Sequence, residues 1–225
     1  MIKIENLSFS YGKMPVINNL SWQLETGQVH GLVGLNGAGK TTLFNLLAGR
    51  LKASGGNIMF NEQMMLRQTC GYMETNPQFY PMITGQEYLD IFRLKNPEFD
   101  FAAWNNIFKL PLKDVVENYS TGMQKRLSLM GIISLNREIL ILDEPFNGLD
   151  FEAFRLVQQI VQLLASRHKT IVISSHIPES LTPICNSISL VSNGNIAFKS
   201  GKPEFDKLPG MIDLHSNAET MELPL

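Results

Sequence analysis

The segment Gly34-Leu35-Asn36-Gly37-Ala38-Gly39-Lys40-Thr41 decides the fold of this chain. It follows the segment Gln28 to Val33, which is predicted to be a strand, and a helical pattern begins at Thr41. Glycines let a backbone fold closely around an anion, so that successive N–H groups and the positive end of the following helix point inward. The segment therefore predicts a phosphate-binding loop between a strand and a helix.

The residues of this loop have separate expected tasks. Lys40 is placed to reach the β- and γ-phosphates of a nucleotide, and the Thr41 hydroxyl is placed to contact Mg²⁺. A bound nucleotide and Mg²⁺ are therefore the expected cofactors. The expected phosphate contacts are Asn36, Gly37, Ala38, Gly39, Lys40, Thr41 and Thr42.

Two adjacent acids follow a continuous apolar run further along the chain. Ile139-Leu140-Ile141-Leu142 indicates a buried strand, and Asp143 and Glu144 come directly after it. Ligands of an open α/β sheet bind outside the carboxyl ends of its strands, which favours Asp143 as a Mg²⁺ ligand and Glu144 as the general base. Taken without the loop, such acids also commonly mark the point where a strand leaves the core.

The composition is that of an ordinary globular protein. The 225 residues are 44% hydrophobic and 18% charged, with a net charge of -2, which disfavours disorder and non-specific nucleic-acid binding. The first residues do not form a cationic and apolar leader, and no run reaches the length of a membrane span, so we expect a cytoplasmic protein. Cys70 and Cys185 lack partners at metal-ligand spacing and are interpreted as buried apolar residues.

The order of patterned segments predicts an α/β core with a helical insert at residues 76–135. The core then comprises residues 1–75 and 136–210, and the tail 211–225 is too short for a domain. A hairpin is expected at Asn193-Gly194. Predicted strands cover residues 2–9, 20–24, 28–33, 57–60, 138–143, 169–174, 187–192 and 195–199, and predicted helices cover 41–51, 86–94, 101–110 and 152–167.

The segment Tyr119-Ser120-Thr121-Gly122-Met123-Gln124-Lys125-Arg126 resembles the signature motif of ATP-binding cassette (ABC) proteins, Leu-Ser-Gly-Gly-Gln. Ser120 and Gly122 agree with that motif, whereas Thr121 and Met123 depart from it. A serine and a small residue at the mouth of a helix form an anion site. Ser120 could equally be a simple helix N-cap.

The resemblance extends over nearly the whole chain and implies a P-loop NTPase with a RecA-like core, an antiparallel β edge and a helical insert. It also implies that the cofactor is ATP and that Ser120, Thr121 and Gly122 contact ATP held by a second subunit. Tyr11 resembles the aromatic residue that stacks on adenine, and His176 the switch histidine that contacts the γ-phosphate. Packing for Tyr11 and a structural role for His176 are the alternatives.

Two further segments align with family motifs, one as a close match and the other with a substitution. Asn147-Gly148-Leu149-Asp150 resembles the loop between the two subunits, although Asp150 could also cap the following helix. Thr75 stands where the family usually has a glutamine that ligates Mg²⁺, and its hydroxyl can still meet a metal-bound water. Glu74 and Gln78 are alternative ligands at this point.

The resemblance implies partners as well as a site. They are a transmembrane permease subunit and a second nucleotide-binding subunit, either an identical chain or a close paralogue, with no nucleic acid. The chain would then lie at the inner face of the cell membrane through its permease. Met123, and Thr75 in place of the usual glutamine, resemble the residues at these positions in exporter cassettes more than those in importer cassettes. The alternatives are a soluble cassette ATPase acting on a protein or nucleic-acid assembly, and a cassette that binds ATP without hydrolysing it.

Overall fold

The computed structural model describes residues 1–65 and 67–215, with side chains up to residue 212. The strands are β1 (Ile2–Tyr11), β2 (Met14–Leu24), β3 (Val29–Val33), β4 (Gly55–Phe60), β5 (Gln63–Met64), β6 (Cys70–Met73), β7 (Ile139–Leu142), β8 (Thr170–Ser175), β9 (Ser187–Ser192) and β10 (Asn195–Gly201). The α-helices are α1 (Lys40–Leu47), α2 (Gly85–Arg93), α3 (Phe101–Phe108), α4 (Thr121–Ser134), α5 (Phe151–Ser166) and α6 (Leu208–His215).

The strands form two sheets of different character. The larger has the order β10-β9-β3-β8-β7-β6, and all its pairs are parallel except the antiparallel edge pair β10-β9. The smaller has the order β2-β1-β4-β5 and is antiparallel throughout. The prediction of an α/β fold with an antiparallel edge is confirmed.

Helix α1 lies between the two sheets. Its side chains Leu43 and Phe44 share one buried cluster with Leu7 of β1 and with Ile139 and Ile141 of β7. The alternate residues of β7 face a second cluster with α4 and α5, and α2 and α3 pack on α4. Because both faces of β7 are covered, the strand reads as a continuous apolar run.

A small number of contacts join the two sheets directly. Trp22 Nε1 of β2 donates to Ser189 Oγ of β9 at 2.9 Å, with both side chains buried. The predicted hairpin at Asn193-Gly194 is present, with both residues at positive φ (49° and 73°). A Cβ on Gly194 would lie 2.1 Å from the Val16 carbonyl oxygen, so only glycine allows the hairpin to approach β2 so closely.

Several segments differ from their predictions, among them α4, which was not predicted as a separate helix, and β2, which begins at Met14 and not at residue 20. Helix α1 ends at Leu47 and not at residue 51, because Gly49 takes φ 64° and terminates it. Strand β6 was not predicted, since Cys70 to Met73 includes a glycine and forms neither a continuous apolar run nor a clear alternation. The tail beyond Gly210 was expected to be unpatterned, yet its first residues belong to α6, which has Pro209 at its second position. The remainder, residues 216–225, lies outside the described residues.

Candidate functional site

The glycine-rich segment joins β3 to α1 at the carboxyl end of the parallel sheet. Gly39 is the N-cap of α1 at φ 102°, a conformation that favours glycine, and no side chain caps the helix there. The first N–H groups of α1 therefore remain directed toward the loop. A Cβ on Gly34 would lie 2.6 Å from the Val191 carbonyl oxygen, so the loop can lie against β9 only with glycine at this position.

A cavity of about 540 Å³ opens over this loop. It brings together most of the site residues expected from the sequence. Asp143 is fully buried and accepts from Thr41, which lines the cavity. Ala38 lines a second cavity of about 500 Å³ that shares Asn36, Gly37 and His176 with the first. The residues that line the first cavity are Tyr11, Met14, Val16, Leu35, Asn36, Gly37, Gly39, Lys40, Thr41, Thr42, Thr75, Glu144, Asn147 and His176.

The Lys40 side chain is buried and folds back over the loop. Its Nζ donates to the carbonyl oxygens of Gly34 at 2.6 Å and Leu35 at 3.3 Å, and it lies 3.6 Å from Glu144 Oε1. A buried ammonium group with backbone acceptors and one carboxylate oxygen can also hold phosphate oxygens. Lys40 therefore places a positive charge between the loop and the acid after β7.

Asp143 connects three elements through its two carboxylate oxygens. Thr41 Oγ1 donates to Oδ2 at 2.7 Å, and Ser174 Oγ donates to Oδ1 at 2.6 Å. The Tyr72 hydroxyl also interacts with Asp143, and burial, followed by this negative charge, raises the pKa of Tyr72. Carboxylate and hydroxyl oxygens are ligands that Mg²⁺ prefers, so Thr41 and Asp143 fit such an ion.

Glu144 and His176 are in contact with each other and both line the cavity. His176 Nδ1 lies 2.9 Å from Glu144 Oε2, and the His176 backbone N–H donates to the same oxygen at 3.3 Å. Glu144 Oε1 accepts no hydrogen bond from the described residues although it is buried. One carboxylate oxygen is thus held in place while the other is available to an incoming hydrogen-bond donor.

The sequence reasoning overlooked two polar residues at this site. Ser174 binds the Asp143 carboxylate and also accepts from the Glu144 backbone N–H at 2.9 Å. The sequence gives it no distinct signal, since only the pairing of β8 with β7 shows that this serine lies beside Asp143. The second residue, Lys125, donates to the Glu144 carbonyl oxygen at 2.6 Å from a buried position in α4. A lysine inside a helical pattern gives no distinct signal either, because most such lysines are exposed.

The segment at the start of α4 lies apart from the phosphate cavity. Ser120 is the N-cap of α4 and its Oγ accepts from the Met123 N–H at 3.2 Å, so its capping role is confirmed. Thr121 is exposed and lines a separate cavity of about 400 Å³, and Gly122 is buried against Leu149. The structure therefore does not bring Ser120, Thr121 and Gly122 to the loop of the same chain.

The other residues singled out in the sequence occupy distinct positions. Tyr11 is 53% exposed at the cavity rim and meets Phe9 edge to face. Thr75 lines both the phosphate cavity and the cavity of Thr121. Asp150 caps α5, accepting from the Ala153 N–H at 2.8 Å. Cys70 and Cys185 are buried, as expected, and burial raises the pKa of both thiols, that of Cys70 to about 11. Among the described helices, none combines the length and apolar character needed to cross a membrane.

The chain is similar in sequence to known proteins. The ABC transporter family model matches residues 17–147. The lantibiotic transport ATP-binding protein SrtF of Streptococcus pyogenes is 29% identical, with 96% of each chain covered, and the ABC transporter ATP-binding protein YtrB of Bacillus subtilis is 30% identical, covering 99% of this chain and 80% of YtrB.

A solved structure shares the fold at lower identity. It is the dimeric post-hydrolysis state of the ATP-binding cassette MJ0796 bound to ADP and Pi, with a TM-score of 0.79 at 17% identity, covering 90% of this chain and 99% of that one. The fold of that protein is therefore also the fold described above. The chain belongs to the ABC transporter family, as one of its ATP-binding and ATP-hydrolysing subunits.

Proposed function

We propose that this chain binds ATP with its phosphates in the loop of residues 34–42 and hydrolyses it with Glu144 as the general base and His176 as its partner. The observation that carries the proposal is the position of Glu144. Its Oε1 accepts no hydrogen bond from the described residues and lies 3.6 Å from Lys40 Nζ in the same cavity, so the base and the phosphate-binding cation are directed toward the same space. A general base needs such an acceptor within hydrogen-bond reach of the attacking water.

The chain's own residues would divide the remaining work. The loop N–H groups and Lys40 bind and orient the phosphates, and Tyr11 supplies an exposed aromatic face for adenine. Thr41 and Asp143 would hold Mg²⁺, with Thr75 at the cavity wall available to a metal-bound water. Mg²⁺, when bound, would neutralise charge on the phosphate oxygens. His176 keeps the Glu144 carboxylate directed into the cavity.

A second subunit would complete each site. In our proposal two copies, or this chain and a close paralogue, pair head to tail so that Ser120, Thr121 and Gly122 of one chain meet ATP on the other. The position of this segment outside its own phosphate cavity supports the arrangement, as does the exposed start of α4. Helix N-termini bind anions, which suits a contact to the γ-phosphate.

The membrane partner and the direction of transport are parts of the same proposal. Residues 76–135 would form a helical subdomain, residues 1–75 and 136–210 the core, and residues 211–225 a tail. The helical part would contact a transmembrane permease at the inner face of the membrane, with Thr75 at the junction of two cavities. Export is favoured by the similarity to SrtF, which is named for lantibiotic transport, over 96% of both chains.

The proposal is tested first by the variant Glu144→Gln. This variant should bind ATP with unchanged affinity, hydrolyse it far more slowly and accumulate as an ATP-dependent dimer in size-exclusion chromatography. Wild-type turnover in the variant would remove Glu144 from its role. Purification of the tagged chain from solubilised membranes should bring down a multi-span membrane protein in fixed ratio. Recovery with soluble partners alone would instead favour a soluble ABC ATPase.

A further inference from the structure

Helix α4 carries a buried amine that has no task in the proposal above. Lys125 is 2% exposed, and its Nζ donates to the backbone carbonyl oxygen of Glu144 at 2.6 Å. Lysines are rarely buried this deeply, because removing the ammonium group from water is costly. Burial lowers the pKa of Lys125 to about 8, although the carboxylates of Glu144 and Asp143 act in the opposite direction. Because burial of this ammonium group costs folding free energy, we expect Lys125 to have a specific role.

The backbone of Glu144 needs to be held. Glu144 has φ 48°, in the left-handed region, where a non-glycine residue persists only if its surroundings fix it. Ser174 Oγ accepts from its N–H at 2.9 Å, while its carbonyl oxygen accepts from Lys125 Nζ and from the Asn147 N–H at 3.3 Å. Because these bonds set the backbone at Glu144, they also set the direction in which its carboxylate points.

Lys125 connects this backbone to the start of α4. It lies about one turn into the helix that begins at Thr121, after the N-cap Ser120. The first turn also packs on the loop after β7, where Thr121 faces Gly148 and Gly122 faces Leu149. Because Lys125 lies five residues after Ser120 on the same helix, a shift of this helical turn would be passed to the Glu144 carbonyl oxygen through the Lys125 hydrogen bond.

We propose that Lys125 is a positioning residue for hydrolysis, which aims the Glu144 carboxylate according to the position of the Ser120–Gly122 segment. The inference rests on the proposed function, in which Glu144 is the general base and this segment meets the ATP of the second subunit. Engagement of that segment by the neighbouring nucleotide would then adjust hydrolysis at the chain's own site. Lys125 itself contacts neither ATP nor water in this scheme.

The test compares two substitutions that differ in the hydrogen bond they allow. Lys125→Met and Lys125→Gln both shorten the side chain by one atom, but Met removes the hydrogen-bond donor whereas Gln keeps one. Steady-state ATP hydrolysis should show kcat lower by roughly tenfold to a hundredfold in Lys125→Met, the scale of an ångström-sized misplacement. The KM for ATP should stay within about twofold of wild type, because Lys125 makes no contact with bound ATP in this scheme. Lys125→Gln should recover part of the lost kcat.

A structural control separates positioning from simple loss of folding. Ser128 is buried in the same helix, three residues after Lys125, and its side chain hydrogen-bonds with Tyr88 and not with Glu144. Ser128→Ala and Lys125→Met each remove a buried hydrogen bond and should both lower the melting temperature, but only Lys125→Met should lower kcat. The double variant Lys125→Met/Glu144→Gln should still dimerise with ATP.

Several results would overturn the inference. They are wild-type kcat in Lys125→Met, a KM that rises in step with the loss of kcat, no difference between the Met and Gln variants, or an equal loss of turnover in Ser128→Ala. Failure of the proposed function itself looks different, since Glu144→Gln would then hydrolyse ATP at the wild-type rate. The two ideas can therefore fail separately.

Discussion

His176 Nδ1 lies 2.9 Å from Glu144 Oε2, and the backbone N–H of His176 donates to the same oxygen. The end of β8 therefore fixes one carboxylate oxygen of the acid that follows β7. Both strands are neighbours in the parallel sheet, so the contact follows from their register as well as from the two side chains.

Replacement of His176 by alanine should lower turnover with little effect on nucleotide binding. The carboxylate of Glu144 would lose its side-chain partner, and a misdirected base should reduce kcat on the order of a hundredfold. ATP affinity, measured by calorimetry, should stay near that of wild type. His176→Asn, which keeps a donor close to the Nδ1 position, should lose less. Equal activity in wild type and His176→Ala would assign the histidine a purely structural place.

Removal of the Lys40 side chain should weaken ATP binding. Loss of a charge-assisted hydrogen bond costs about 1.5–3 kcal/mol, so Lys40→Ala should raise the Kd for ATP by roughly tenfold to a hundredfold. The matched control is Lys52→Ala, at an exposed lysine outside the cavity. Unchanged affinity in Lys40→Ala would contradict the loop assignment.

The aromatic ring of Tyr11 should contribute to affinity only when the ligand has a base. Tyr11→Ala should weaken ATP binding by about 1–3 kcal/mol, the usual range for a base stacked on an aromatic side chain. Binding of inorganic tripolyphosphate should not change, and Tyr11→Trp should retain ATP affinity. If the alanine variant lost affinity for both ligands equally, Tyr11 would be supporting the loop and not the base.

The hydroxyl of Thr75 should matter for the metal requirement. Thr75→Val keeps the shape of the side chain and removes the hydroxyl, so half-maximal turnover should need several times more Mg²⁺. Thr75→Gln should need less than Thr75→Val, because a carboxamide oxygen reaches further into the cavity that Thr75 lines. Identical Mg²⁺ titrations for all three proteins would exclude Thr75 from the metal site.

Stability should fall in mild acid because of His30. This side chain is buried, with Nε2 2.8 Å from the Glu25 carbonyl oxygen and Nδ1 2.9 Å from Ser187 Oγ, and burial lowers its pKa to about 4. The unfolded chain takes up this proton near pH 6.5 and the folded chain only near pH 4. The contribution of neutral His30 to the free energy of unfolding is therefore fully present above pH 6.5. It is lost as the pH falls toward 4.

Urea denaturation at two pH values measures this effect. Between pH 7 and pH 5 the wild type should lose about 2 kcal/mol of unfolding free energy through His30. His30→Gln should lack this part of the slope while remaining folded at pH 7. The same pH dependence in both proteins would show that other groups cause the acid sensitivity.

The sequence predicted those parts of the molecule that depend on local pattern. The loop at Gly34–Lys40, the buried strand before Asp143 and the Asn193-Gly194 hairpin each carry their signal in a few adjacent residues. Strand β6 was not predicted because Cys70 to Met73, unlike the equally short β7, does not form a continuous apolar run. Its place in the sheet comes from pairing with β7, which a pattern along one segment cannot reveal.

Contacts between distant residues account for what was missed at the site. Lys125 resembles any helical lysine until the Glu144 carbonyl oxygen is placed beside it, and Ser174 resembles any serine at a strand end until Asp143 lies next to it. Their surroundings arise when α4 and β8 pack against the turn after β7. Such information lies in the tertiary structure and not in any single segment.

Trp22, which donates a hydrogen bond to Ser189 between the two sheets, is a fluorescent probe of the contact between them. The two tryptophans are split between the two buried clusters, since Trp22 belongs to the one between the sheets and Trp104 packs against the one beneath α4. Their fluorescence emission will shift when each cluster opens to water. Trp22→Phe and Trp104→Phe, each leaving a single fluorophore, therefore allow the unfolding of the two layers to be followed separately in one ordinary denaturation experiment.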